Sequence, residues 1–524
     1  MLYSESRKNS TQSHPTLTII FGFILTGLLC SCSNFAAPTE KELADMQRQQ
    51  LVADSAQSAQ QILTQIIASS HDSLQADRMV DSYYKDGGSW IWVNQDTTFL
   101  TKASSVADFI EGQVKEIGFA PAAFFTQVIR DDVKHFQQLD FDSTQTSVSE
   151  TMARLELNLS KAFLRYALGQ RYGFMNPHKV LNRLDKNKDN AYRIIYDIDL
   201  EKPDSNFVEQ TLSHAADEQP TQYLRQAEST HPVYALLKQE LAKDSTEEGR
   251  KRILCNMERL RWRHVQNTAE NEKKVFVNIP SQQLWAISPD SVFSMRICCG
   301  AWRTKTPLLT SQIRLIQFNP EWNIPSSILR DEVSEHAGDS AYFARNSYFI
   351  VQRSTGDTIK AKDITQAQLK SGAYRVAQHS GRVNSLGRII FRFNNHFDVY
   401  LHDTNNLSAF KNERRTISHG CVRVQKPFDL MTFVLGNVDE WTLDKVRLSI
   451  DMQPETDKGK RYLKEHKDDE KIRLIHSKDV TPTVPLSVDY YTYYPNPETK
   501  EFEVWPDRYE YDIQVHKAIK PFLQ

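Results

Sequence analysis

The sequence has little cysteine, almost no net charge and a single long hydrophobic run, and each scarcity excludes a class of protein. Six cysteines in 524 residues are too few for a disulfide scaffold, and no CxxC pair or HExxH motif offers zinc-ligand spacing. A formal net charge of -2 with 25% charged residues gives no field for nucleic acid or another strongly anionic partner. No internal repeat or long low-complexity tract is evident. A chain of this length exceeds one ordinary core, and two to four domains of about 100–200 residues each are expected.

The run LTIIFGFILTGLL, residues 17–29, follows a polar stretch holding Arg7 and Lys8. It is too short to span a bilayer comfortably and reads as a signal peptide. It ends in Leu29-Cys30-Ser31-Cys32, which resembles the lipobox of bacterial lipoproteins. That resemblance implies a boundary at residues 1–32, lipidation at Cys32 and a membrane anchor whose acyl chains contribute about 0.8 kcal/mol per buried methylene. Residues 33–78, rich in Gln, Ala and Ser, read as a tether containing a polar helix.

Across residues 79–244 apolar side chains recur at three- and four-residue spacing, as in Met152, Leu155, Leu159, Phe163 and Tyr166, which predicts a helical scaffold domain. Residues 245–271 read as a linker helix. From residue 272 the period changes to short strands split by turn residues such as Pro289-Asp290-Ser291, which predicts a mainly β domain over 272–524, sandwich or barrel. Polar, partly helical sequence over about 322–386 interrupts that rhythm and reads as an inserted lid. The fold class expected is therefore α+β multidomain. Asp185 to Asn190 looks superficially like a calcium loop, but the downstream glycine and glutamate are missing, so a solvated turn is expected. The adjacent Cys298 and Cys299 read as small buried hydrophobes in a strand. No cofactor is called for.

Chemistry concentrates in Val399-Tyr-Leu-His-Asp-Thr404, a polar loop, and Ile417-Ser-His-Gly-Cys-Val-Arg-Val424. A cysteine nucleophile needs a base, oxyanion donors and a group that orients the base. His402 closes an apolar strand and can face Cys421 if the loop folds back, with the Asp403 carbonyl available to orient its ring. Backbone N–H groups of Gly420 and Cys421 can serve an oxyanion, since glycine permits the turn that exposes them. A buried turn, a strand-end histidine satisfied by a carbonyl and a surface ion pair at Arg423 are the inert readings of the same residues. Trp322 and Tyr374 either line the cleft or pack the lid, while His379 and His396 read as ordinary surface or structural residues.

These residues resemble the L,D-transpeptidase family with the YkuD-type catalytic domain, whose pattern is a histidine, a loop and SHGC, with an arginine or asparagine two places on. Here His402, Ser418, His419, Gly420, Cys421 and Arg423 fill it in order, with sixteen residues between the histidines. Asn256-Met-Glu-Arg-Leu-Arg-Trp262, Asn278-Ile-Pro280, Thr306-Pro307, Asn384-Ser-Leu-Gly387 and His402-Asp-Thr404 resemble segments of its large, capped periplasmic members. The resemblance implies Cys421 as nucleophile, His402 or His419 as base with the other supporting the oxyanion, Arg423 in donor binding, and acylation by carbapenems. It implies peptidoglycan stem peptides as substrate, 3-3 crosslinks through a thioester with release of D-alanine, and the cell envelope as location. Two departures stand out. No counterpart of a small peptidoglycan-binding module is found between residues 217 and 252, and Ile417 precedes Ser418, where altered packing beneath the nucleophile is expected. The rival from another class is a non-catalytic envelope lipoprotein that binds peptidoglycan in an inactive cleft; L,D-carboxypeptidase activity is the alternative within the same fold.

Overall fold

The structure, a computed structural model, describes residues 38–142, 147–187, 190–265, 272–469 and 471–523. Cys32 and the signal segment lie outside them. The chain divides into two compact units, Met1–Gln47 and Arg48–Gln524. In the first, the described residues form the opening turns of helix Glu40–Ser69, where Glu40 and Glu42 favour the positive end of the helix dipole.

The second unit begins with helices. Segment 33–78, expected to be a tether, buries Val52, Ala59, Leu63 and Ile67 from the helix Glu40–Ser69. Apolar residues at that spacing make a stripe, and the stripe packs, with Leu63 and Ile67 against Val80, Leu157 and Leu164. The central helix Val148–Tyr172 starts where the Ser147 side chain accepts the Glu150 amide at 3.2 Å and stops at Gly173, whose φ of 93° no bulky residue adopts cheaply. Nearly all of that helix is buried, so the shorter helices assemble around it.

Helix Glu247–Arg261 joins the helical and strand regions and packs against both. Asn256 exchanges hydrogen bonds with Thr492, Arg259 meets Asp512 at 2.6 Å, and Arg261 meets Glu258 at 3.0 Å. The NMERLRW segment is thus a joint in which buried charges are paired, as burial demands. One apolar cluster runs through it, from Phe99, Ile110 and Phe163 to Val277, Ile316 and Leu401.

The strand region is a 10-stranded sheet that closes on itself. Leu308–Phe318 pairs antiparallel with both Ile389–Phe393 and Ser477–Asp489, and the ring continues through Leu401–His402, Val422–Val424, Val292–Gly300, Gln283–Ile287 and Lys274–Asn278. The expected barrel is therefore present, completed by residues after 450. Tyr196–Asp197, from the helical region, adds itself in parallel to Leu308–Leu309. The insertion leaves after Phe318 and returns at Ile389, which pair directly, so it enters and exits at one point of the wall. It has its own sheet, in the order Trp322–Asn323, Tyr374–Gln378, Tyr348–Gln352, Thr358–Ile359, and its own core around Ile350, Phe343 and Val376. No helix among the described residues is long and apolar enough to cross a membrane.

Candidate active site

Two neighbouring parallel strands carry the central residues. Leu401 pairs with Val422 and His402 with Arg423, and the Val422 amide donates to the Tyr400 carbonyl at 3.1 Å. Because side chains alternate along a strand, Tyr400 and His402 share a face with Cys421 and Arg423, while Leu401 and Val422 turn into the core. The loop does fold back, bringing His402 and Cys421 to one surface.

The turn before Cys421 is built from hydroxyls. Ser418 Oγ donates to the Cys421 carbonyl at 2.5 Å and accepts the Gly420 amide at 3.2 Å. Thr304 Oγ1 donates to the Ser418 carbonyl and Thr306 Oγ1 to the Gly420 carbonyl, each at 2.8 Å. Gly420 has φ 125°, a conformation that side chains resist, although space for a Cβ exists there. Two expectations change as a result. The Gly420 N–H, expected to face an oxyanion, is committed to Ser418, and Ser418 holds the turn with a hydroxyl already engaged twice. Ile417 is 42% exposed and so does not pack beneath the nucleophile.

Cys421 is partly exposed, whereas Cys255, Cys298 and Cys299 are buried free thiols. Its Sγ points at the Asp398 carbonyl 3.8 Å away. Burial pushes this thiol up to about 11, against the opposing pull of the Tyr400 amide and Arg423. His402 is buried, and burial reinforced by the Arg423 charge lowers its pKa to about 4, with the carbonyls of Asp403 and Leu386 opposing the shift. Its Nδ1 makes no well-formed hydrogen bond, and Arg423 Nε is likewise buried without a partner. With these values the resting pair is neutral thiol and neutral imidazole, not a preformed ion pair.

The Asp403 carboxylate turns away from this pair. It accepts the Arg388 amide at 2.8 Å and the Thr404 amide at 2.7 Å, and a Cβ on Gly387 would come within 2.4 Å of it. Only glycine fits there. The carboxylate therefore fixes the point where the insertion returns to the barrel, and buried Asn384 fastens the same point through the carbonyls of Pro320 and His379.

Sequence reading missed three contributors. Glu332, in the insertion, sits 2.7 Å from His419 Nε2. A carboxylate only accepts, so Nε2 is the donor in this contact. Tyr400 stands with its ring centroid 6.1 Å from that of His402, beneath the Arg392 guanidinium at 5.2 Å. Burial and the neighbouring Cys421 push the Tyr400 phenol up to about 12, and Trp322 of the insertion lies within reach of its hydroxyl. Asp398, at φ 52°, turns its carbonyl toward the thiol. Of these only Tyr400, two positions before His402, carried a signal, namely strand alternation. Among the described residues no cluster of His, Cys, Asp and Glu has the arrangement of a metal site.

Comparison with known proteins places two segments. Residues 272–446 match the L,D-transpeptidase catalytic domain, and residues 77–241 match the Scaffold domain. A Haemophilus influenzae protein named "Putative L,D-transpeptidase" is 30% identical over 171 residues, which is 32% of this chain. The match spans 34% of that relative's length, about a third.

Proposed function

We propose, for a chain that carries an L,D-transpeptidase catalytic domain joined to a Scaffold domain, that it exchanges amide bonds in peptidoglycan stem peptides through a thioester on Cys421. The observation that carries this reading is the shared face of Cys421, His402 and Arg423 on paired strands, open to the side from which the insertion reaches His419 and Tyr400.

His402 is the base in this mechanism. It is neutral at physiological pH, and its burial beside the nucleophile's strand keeps competing water from its ring. Burial pushes the thiol up and the imidazole down, so ground-state proton transfer is uphill and proton removal accompanies attack on the substrate carbonyl. Sulfur bonds to the carbonyl carbon between the third-position diamino acid and D-alanine, and, with the Gly420 N–H committed to Ser418, the Cys421 N–H serves the developing oxyanion. The C–N bond then breaks and D-alanine leaves with the proton from His402. An amine from a second stem resolves the thioester and gives a 3-3 crosslink. Arg423 holds the donor stem, and His419, oriented by Glu332, supports the oxyanion side. Lipidation at Cys32 holds the enzyme at a membrane surface in the cell envelope.

The test is incubation of the chain from residue 33 onward with disaccharide-tetrapeptide, followed by mass spectrometry. Wild type yields a crosslinked dimer with loss of D-alanine, and Cys421→Ala leaves the substrate intact, a loss of at least about 10³-fold. Loss of D-alanine without a dimer would make it a carboxypeptidase. Unchanged substrate with wild type would favour the non-catalytic binding protein.

A further inference from the structure

A cavity of about 620 Å³ opens beside the nucleophile, and its walls come from both domains. Asp197 belongs to the strand that the helical region adds to the barrel, Arg314 to the barrel strand beside it, and Arg392, His396, Asp398 and Tyr400 to the stretch leading to His402. One of its lining residues, Asp398, turns its carbonyl toward Cys421 Sγ at 3.8 Å, and another, Tyr400, lies two positions before His402.

Three features mark a built site. Charges of both signs line it, yet Arg314, Asp197 and Asp398 form no hydrogen bond or ion pair through their side chains with one another or with other described residues. Arg314 and Asp398 are exposed, so their charges stand open to a ligand entering the cavity. The wall is also stiff. The Asn395 side chain accepts the amides of Phe397 at 3.0 Å and Val399 at 3.1 Å, and donates to the Val399 carbonyl at 2.7 Å, so this loop needs little ordering on binding. Finally, Arg392 is already occupied by Gln317 at 2.9 Å and by the Tyr400 ring, which leaves Arg314, among the described residues of the wall, as the guanidinium free to take a ligand.

We propose that this cavity seats the acceptor, an amino-acid centre carrying both an ammonium and a carboxylate, with Arg314 on the carboxylate and Asp398 and Asp197 on the ammonium. The inference rests on the acyl-transfer reading above and adds that a residue of the helical domain takes part in choosing the acceptor. A carboxylate and an ammonium on one carbon need opposite charges held apart on one wall, as these are. In the transfer, one ammonium proton leaves to solvent and the nitrogen lone pair bonds to the thioester carbonyl. The C–S bond breaks, sulfur keeps the pair, and the second proton lost by nitrogen returns to sulfur through His402.

The experiment uses two disaccharide-tripeptides that differ only by the side-chain carboxylate, one ending in meso-diaminopimelate and one in lysine. Calorimetry with Cys421→Ala reads binding alone. The diaminopimelate probe binds about tenfold tighter, the worth of one charge-assisted pair, and Arg314→Gln, a change on an exposed strand position, removes the preference. In turnover by an otherwise wild-type chain, Arg314→Gln lowers the ratio of crosslinked to hydrolysed product by about tenfold, and Asp197→Asn lowers it in the same direction. Equal affinity for the two probes, or a preference unmoved by Arg314→Gln, overturns the assignment. Failure of wild type to release D-alanine would instead sink the catalytic reading, while the binding result would still decide the cavity.

Discussion

Glu156 in the helical domain and His402 in the barrel are both buried ionisable groups, and their surroundings differ in kind. Glu156 accepts the Tyr84 hydroxyl at 2.6 Å and the amides of Ile91, Trp92 and Val93 at 2.6, 3.0 and 2.9 Å. His402 has an unsatisfied Nδ1 and a guanidinium on the adjacent strand. The first arrangement is a peg that fastens a loop to the central helix. The second leaves polar capacity unspent beside the Cys421 strand, which costs stability and is what the proposed proton transfer requires.

Substituting His402 tests the contrast most severely. His402→Gln lowers D-alanine release by about 10³-fold, and a loss below about tenfold takes the residue out of the proton path. It also has a pH signature. The folded pKa of about 4 lies below the unfolded value of 6.5, so the unfolded chain binds more protons in that window. Stability is complete above about pH 6.5 and falls as the pH drops toward about 4, by as much as about 3 kcal/mol when the ring is protonated in both states. Urea unfolding at stepped pH shows that decline in wild type and a shallower one in His402→Gln.

Glu156→Ala does the reverse. Stranding three amides costs about 3 kcal/mol in unfolding experiments, while turnover per folded molecule stays within about threefold of wild type. A loss of turnover larger than that would mean that the helical domain positions the chemistry. The smallest effect belongs to Glu332, since both it and His419 are about half exposed. Glu332→Gln slows turnover about threefold at low ionic strength, and the difference fades near 1 M salt as screening removes the attraction. A change that persists at high salt would assign the pair a role beyond its charge.

Much of the barrel was legible because its strands are short, regular and bounded by turn residues, and the Cys421 turn because its residue types leave few chemical alternatives. What sequence could not give was the destination of each polar atom. Ser418 and Gly420 read as candidates for substrate contact, but their hydrogen bonds close on each other, a choice made by the turn geometry. Asp403 follows His402 directly, yet its carboxylate points to Gly387. Glu332 lies far upstream of His419 and reaches it only because the insertion folds over the barrel from a single point on its wall. The packing of residues 52–67 was readable from their helical spacing, but their Gln- and Ser-rich outer face concealed it.

The residues that follow the barrel return to the helical domain. The Ala120 amide donates to the Phe522 carbonyl at 2.8 Å, and the Phe522 ring contacts Phe119, Phe124 and Phe174. Synthesis runs in the opposite order, so the helical segment emerges first while the ring that completes its aromatic cluster emerges after the catalytic strands. Final packing of that domain therefore waits on the translation of everything between them, and a ribosome-bound chain that has just finished its helices still lacks one wall of their core.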